Sequence, residues 1–115
     1  MSVAEMPAGQ PLRPLELLAY QDGAIVSRTL LKREGGTVTL FAFDEGQALS
    51  EHTAAFDAIV QVLEGDAEIA IDGAPHPVTA GDAILMPAHH PHALTARTRF
   101  KMLLTMIRHG RAGGD

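Results

Sequence analysis

From Asp22-Gly23 onward the chain is cut by glycine-containing turns into apolar runs too short for helices, and this punctuation limits its fold more than any other feature. The runs "AIVSRTLL", "GTVTLFAF", "AIVQVLEG", "AEIAI", "DAILMP", "HALTA" and "FKMLLTMI" are rich in β-branched or aliphatic residues. Between them stand "KREGG", "DEGQ", "EGD", "IDGAP" and "TAGD", the turn chemistry that links antiparallel strands. The pattern predicts an all-β sandwich or barrel, with no helical period after residue 22. Glu64-Gly65-Asp66 and Asp72-Gly73 are expected to be tight hairpin turns, since glycine tolerates the positive φ such turns require. On that expectation "AIVQVL", "AEIAI" and "HPV" form a three-stranded meander.

A chain of 115 residues suits one domain with one core. Residues 1–14 hold three prolines without periodicity and read as an arm; 110–115 read as a flexible Gly-rich tail; 15–109 form the barrel domain. "LELLAY" (15–20) fits a helical turn or a short strand equally well. Aromatic residues make up 4% of the chain, with no Trp, so the core must be built from Ile, Leu, Val, Met and Ala. Few rings are left for stacking on bases. The net charge of −5 and the absence of any long basic run argue against a nucleic-acid partner. The absence of cysteine removes disulfides, thiolate metal sites and a Cys nucleophile. The first twenty residues lack a signal-peptide pattern, and no apolar segment approaches the ~20 residues of a membrane span. The reading is a soluble, cytoplasmic protein. Neither a nucleophile elbow nor a phosphate loop is present.

Two glycine- and histidine-bearing segments carry a resemblance. In "GQALSEHTAAFDAIVQVLEG", Gly46, His52 and Gly65 keep the spacing of the first motif of the cupin superfamily, with Ala54 and Ala58 where a second His and a Glu belong. In "GDAILMPAHHPHALTA", Gly81, Pro87 and His92 keep that of the second motif, with His89 replacing a Gly and Ala96 an Asn. The sequence therefore resembles the small single-domain cupins, which implies a jelly-roll β-barrel, or double-stranded β-helix. Family members with the full set hold Fe, Mn, Ni, Zn or Cu with three His and one carboxylate.

The resemblance places His52 and His92 as metal ligands at the cavity floor, with His90, His89 or Asp57 as possible third ligands. On a regular strand, positions 52, 54 and 58 would share one face while Asp57 would point to the other. Phe56 and Met86 are expected to line the cavity and make it apolar. His76 and His109 read as surface residues. Met102, Met106, Phe41, Phe43 and Phe100 read as core or interface filling. The function expected first is binding of a divalent transition metal, a small molecule or both inside the barrel. The alternatives are a metal-dependent dioxygenase, isomerase or decarboxylase acting on a small organic acid or aromatic compound, and a metal-free sensing or structural module. A homodimer is expected, because open sheet edges and apolar outer strands are commonly covered by a second copy.

Overall fold

Alternating burial shows directly why the short runs become strands. In the segment 56–64, Ala58, Val60 and Val62 are buried while Ile59 and Gln61 face solvent; in 92–96, His92, Leu94 and Ala96 are buried and Thr95 is exposed. That period of two is what a sheet with one covered face requires. The computed structural model describes residues 5–108; His109, the tail 110–115 and the first four residues of the arm lie outside the described residues. In chain order the strands are β1 (Ile25–Arg33), β2 (Gly36–Phe43), β3 (Ala48–His52), β4 (Phe56–Glu64), β5 (Asp66–Ile71), β6 (Ala74–Thr79), β7 (Ala83–Met86), β8 (His92–Ala96) and β9 (Phe100–Arg108). A 3-10 turn at Pro14–Glu16 is the helical element among the described residues, and it takes up the start of the ambiguous "LELLAY". No helix there is long and apolar enough to cross a membrane.

The strands form two antiparallel sheets, ordered β1-β2-β9-β4-β7 and β3-β8-β5-β6. Their inner faces pack into one jelly-roll core containing Phe43, Val60, Ile69, Leu94, Phe100 and Met102. The Phe43 and Phe100 rings stack there with centroids 4.5 Å apart.

One expected turn is a hairpin and the other is not. Asp72 and Gly73 have φ of 52° and 80° and close β5 onto β6 with Ile71 opposite Ala74, as a type I′ connection requires. Glu64-Gly65-Asp66 instead carries the chain from one sheet to the other. β4 is already paired on both edges, with β9 and with β7, so it has no edge left for β5, which lies between β8 and β6. The expected meander is thus replaced by a corner followed by a single hairpin.

The arm is tied to the barrel. Met6 N–H donates to the Leu30 carbonyl at 3.0 Å, and the Glu5 carboxylate accepts from the Lys32 amide and the Arg33 guanidinium. These contacts occupy the outer edge of β1, which would otherwise offer unpaired backbone groups. Leu30, Leu40 and Ala42 are buried outside the main core cluster. Ala42 pairs with Lys101, whose ammonium donates to the Leu15 carbonyl at 2.7 Å and stands 4.9 Å from the Tyr20 ring. The Tyr20 hydroxyl in turn donates to Glu64 at 2.6 Å, and burial followed by that carboxylate raises its pKa above the ordinary tyrosine range. Leu31, Ile59, Leu85 and Ile107 remain exposed.

Candidate functional site

His52 ends β3 and His92 begins β8, and the two residues are directly opposed across that strand pair. They are neighbours in one sheet, where the regular-strand expectation put 52, 54 and 58 on a single face. β3 stops at His52 and β4 starts at Phe56 in the other sheet, so Ala58 faces the histidines from across the barrel. The intervening residues leave strand geometry as the chain crosses between layers.

The two imidazoles meet edge to face, with centroids 4.3 Å apart and their Nε2 atoms 3.1 Å apart. His52 Nδ1 lies 2.8 Å from the Ser50 carbonyl and His92 Nδ1 lies 3.2 Å from the His90 carbonyl. A carbonyl oxygen only accepts, so each Nδ1 is assigned the proton, and in the neutral rings each Nε2 then carries a lone pair. Two acceptors therefore face each other across 3.1 Å. An electron-poor centre between them, a proton or a cation, relieves that opposition. The backbone thus presets both rings in the tautomer and orientation that metal-ligating histidines adopt.

These rings stand at the edge of a cavity of about 70 Å³ whose other walls include Ala54, Phe56, Ala58, Met86 and Met106. Burial of His92, and secondly repulsion from His52, hold its pKa below the ordinary histidine value, against the opposing hydrogen bond to the His90 carbonyl. The folded state then binds fewer protons at this group than the unfolded chain, and stability falls as pH drops below about 6.5. The slope for a single proton is at most about 1.4 kcal/mol per pH unit. In chelator-containing buffer, the urea midpoint is expected to fall more between pH 7.5 and 5.5 in the parent than in His92→Gln. Equal falls would contradict this origin.

The structure brings together His52, His92, Phe56 and Met86 around this cavity. His89, His90 and Asp57 are not among its walls. His90 Nδ1 lies 2.8 Å from an Asp72 carboxylate oxygen at the β5–β6 turn, with both side chains about half exposed. His89 is exposed in the turn before β8 with φ of 68°, its amide donating to the Ala54 carbonyl at 2.8 Å. Asp57 pairs with Ile107 in the sheet and accepts from the Ala88 amide at 2.9 Å, pinning the same turn. His76 lies exposed on β6. Met102 and Met106, read from sequence as filling, also line the cavity, as do Leu94 and Leu104. Strand parity from Phe100 onward was the signal that could have found Met102, Leu104 and Met106.

The three-His, one-carboxylate set that the resemblance implies does not fit these residues. Its second His and its carboxylate are Ala54 and Ala58, and among the described residues no group of three or more His, Cys, Asp or Glu is placed to hold a metal ion. A larger depression of about 270 Å³ beside β5 and β6 offers polar groups that already serve one another. There the Thr79 hydroxyl donates to Asp66 and the Thr79 amide to Asp82, while Arg97 pairs with Glu68.

Comparison with known proteins agrees with this architecture. A conserved protein of unknown function from Streptococcus pyogenes is 35% identical, with 96% of this chain and 98% of that one covered and a TM-score of 0.87. A cupin superfamily protein from Desulfitobacterium hafniense is 27% identical over 95% of this chain and 100% of its own, with a TM-score of 0.86. A Cupin 2 conserved barrel domain protein from Leptotrichia buccalis is 39% identical over 82% of this chain and 46% of its own, with a TM-score of 0.79. No curated protein matches the chain. The family model described as Cupin domain matches residues 39–108. With that match over more than half of its length, and the jelly roll and paired motif histidines in place, the chain belongs to the cupin family.

Proposed function

We propose that this cupin is a binding protein whose barrel takes one small electron-poor ligand at the His52/His92 pair, a metal ion or the acidic hydrogen of a very small organic molecule. The observation that carries this reading is the convergence of two Nε2 atoms 3.1 Å apart, each ring oriented by a backbone carbonyl through Nδ1. Two donors about 2 Å from one ion at tetrahedral angles stand roughly 3.3 Å apart, close to this separation. Cavity size supports the same choice. Organic ligands of ordinary size occupy ~300 to 1,000 Å³, whereas about 70 Å³ holds an ion or a molecule of a few heavy atoms. Among the described residues the walls carry no carboxylate to act with the imidazoles as an acid-base pair, and Asp57, outside the walls, accepts from the Ala88 amide.

Long-range proton–nitrogen NMR of the imidazoles in chelated protein at neutral pH tests the carrying observation. Both rings are expected as the Nδ1–H tautomer; an Nε2–H tautomer in either ring would overturn the reading. Thermal unfolding at neutral pH with Zn²⁺, Cu⁺, or the small N–H donors formamide and acetamide tests binding itself. At least one is expected to stabilise the parent by about 2.7 kcal/mol at 100 times its Kd, and to lose that effect in His52→Ala. If none of the four shifts the parent, the proposal fails.

A further inference from the structure

Among the cavity walls, the two positions that depart from the full cupin motif are alanines, and sulfur surrounds one of them. Ala58 is paired with Met86 on β7 and with Met106 on β9, so a methionine flanks it on each neighbouring strand. Cβ atoms directly opposed across antiparallel strands lie about 4.5 to 5.5 Å apart. Met86 and Met106 both line the cavity that His52 and His92 close, and Met86 is 3% exposed. Of the four methionines among the described residues, three line this one small cavity.

We infer that His52, His92, Met86 and Met106 form a site for a single soft monovalent cation, cuprous ion, with thioethers serving where the full motif has a carboxylate. This rests on the reading of the histidine pair given above and deepens it by naming the ion. Three physical reasons select it. Imidazole and thioether are the donor types that suit Cu(I), whereas carboxylate, carbonyl and water suit Mg, Ca and Mn. All four donors are neutral, so a single positive charge enters an apolar cavity with less uncompensated charge than a divalent ion would bring. Cuprous ion is also satisfied by few ligands in an irregular arrangement, and the flexible methionine side chain adapts to one.

Anaerobic titration of the whole protein with Cu(I) against a chromophoric Cu(I) chelator tests the inference, with Zn²⁺ titrated in parallel. The parent is expected to bind one Cu(I) per chain more tightly than Zn²⁺. Met86→Leu/Met106→Leu conserves side-chain volume and is expected to remain folded by circular dichroism, while its Cu(I) affinity drops about 10- to 100-fold or more. Copper-edge X-ray absorption is expected to show sulfur scattering in the parent and none in that variant. Unchanged affinity in the methionine variant, with no sulfur scattering in the parent, would overturn the thioether site. If His52→Ala still abolished binding in that case, the histidine-pair reading would stand alone. Cu(I) binding indifferent to both sets of substitutions would sink both.

Discussion

In Ala54→His/Ala58→Glu, a divalent ion such as Zn²⁺ or Mn²⁺ is expected to become the strongest stabiliser of the barrel. The reason is positional. Both alanines line the cavity with His52 and His92, so the substitution returns a third imidazole and a carboxylate to a place where two imidazoles already converge. Without metal the variant pays for a carboxylate at a site where Ala58 is 5% exposed between two methionines. An unpaired buried charge costs about 3 to 5 kcal/mol, and the thermal midpoint in chelator is expected to fall accordingly. Metal at 100 times its Kd should return about 2.7 kcal/mol and more at higher excess. Thermal unfolding of parent, single and double variants, each with chelator and with metal, separates these effects. A folded double variant whose midpoint ignores divalent metal would show that the two alanines do not occupy ligand positions. The same variant is expected to lose the preference for Cu(I) over Zn²⁺, because the introduced carboxylate compensates the second positive charge.

Gly65→Ala is expected to be the most damaging single small substitution in the chain. Gly65 sits at the corner between the two sheets with φ of 82°, and a Cβ there would lie 1.9 Å from the Arg99 carbonyl oxygen and 2.8 Å from Phe100 Cα. Those are backbone atoms of β9 and the turn before it, which cannot swing aside as a long side chain can. The left-handed conformation costs a non-glycine residue roughly 1 to 2 kcal/mol, and displacing Phe100 disturbs its stack on Phe43. A total loss of about 4 kcal/mol, an exceptional value for one methyl group, is expected from urea unfolding. Gly73→Ala supplies the comparison. Its φ is 80° but nothing among the described residues lies within 4 Å of the added Cβ, so only the conformational cost of about 1 to 2 kcal/mol applies. Equal losses at the two positions would mean that the contact with Arg99 does not constrain the corner.

That corner shows what could be read from the chain and what could not. Turn residues report where the backbone changes direction, since positive φ is a local property of Gly65 and of Asp72-Gly73. They do not report which strand edges are free. Asp72-Gly73 closes a hairpin because β6 pairs with β5, whereas Gly65 opens a sheet-to-sheet crossing because β4 is filled on both sides. The tie between Glu5 and β1 likewise joins residues far apart in sequence.

The candidate site divides along the same line. The motif spacing around Gly46, His52, Gly65, Gly81, Pro87 and His92 identified the pair of histidines and the alanines that accompany them, because that spacing is itself linear. The sequence alone determined the all-β class, most strand positions and the two imidazoles, all of which depend on residue type and on separations of a few positions. Only the tertiary structure decided that Nε2 faces Nε2 with both Nδ1 atoms held by carbonyls, that His90 pairs with Asp72 instead of entering the cavity, and that Met86 and Met106 flank Ala58. Each of those facts depends on the register between strands brought together from distant parts of the chain. A shift of one residue in any of them would turn the side chains to the opposite face.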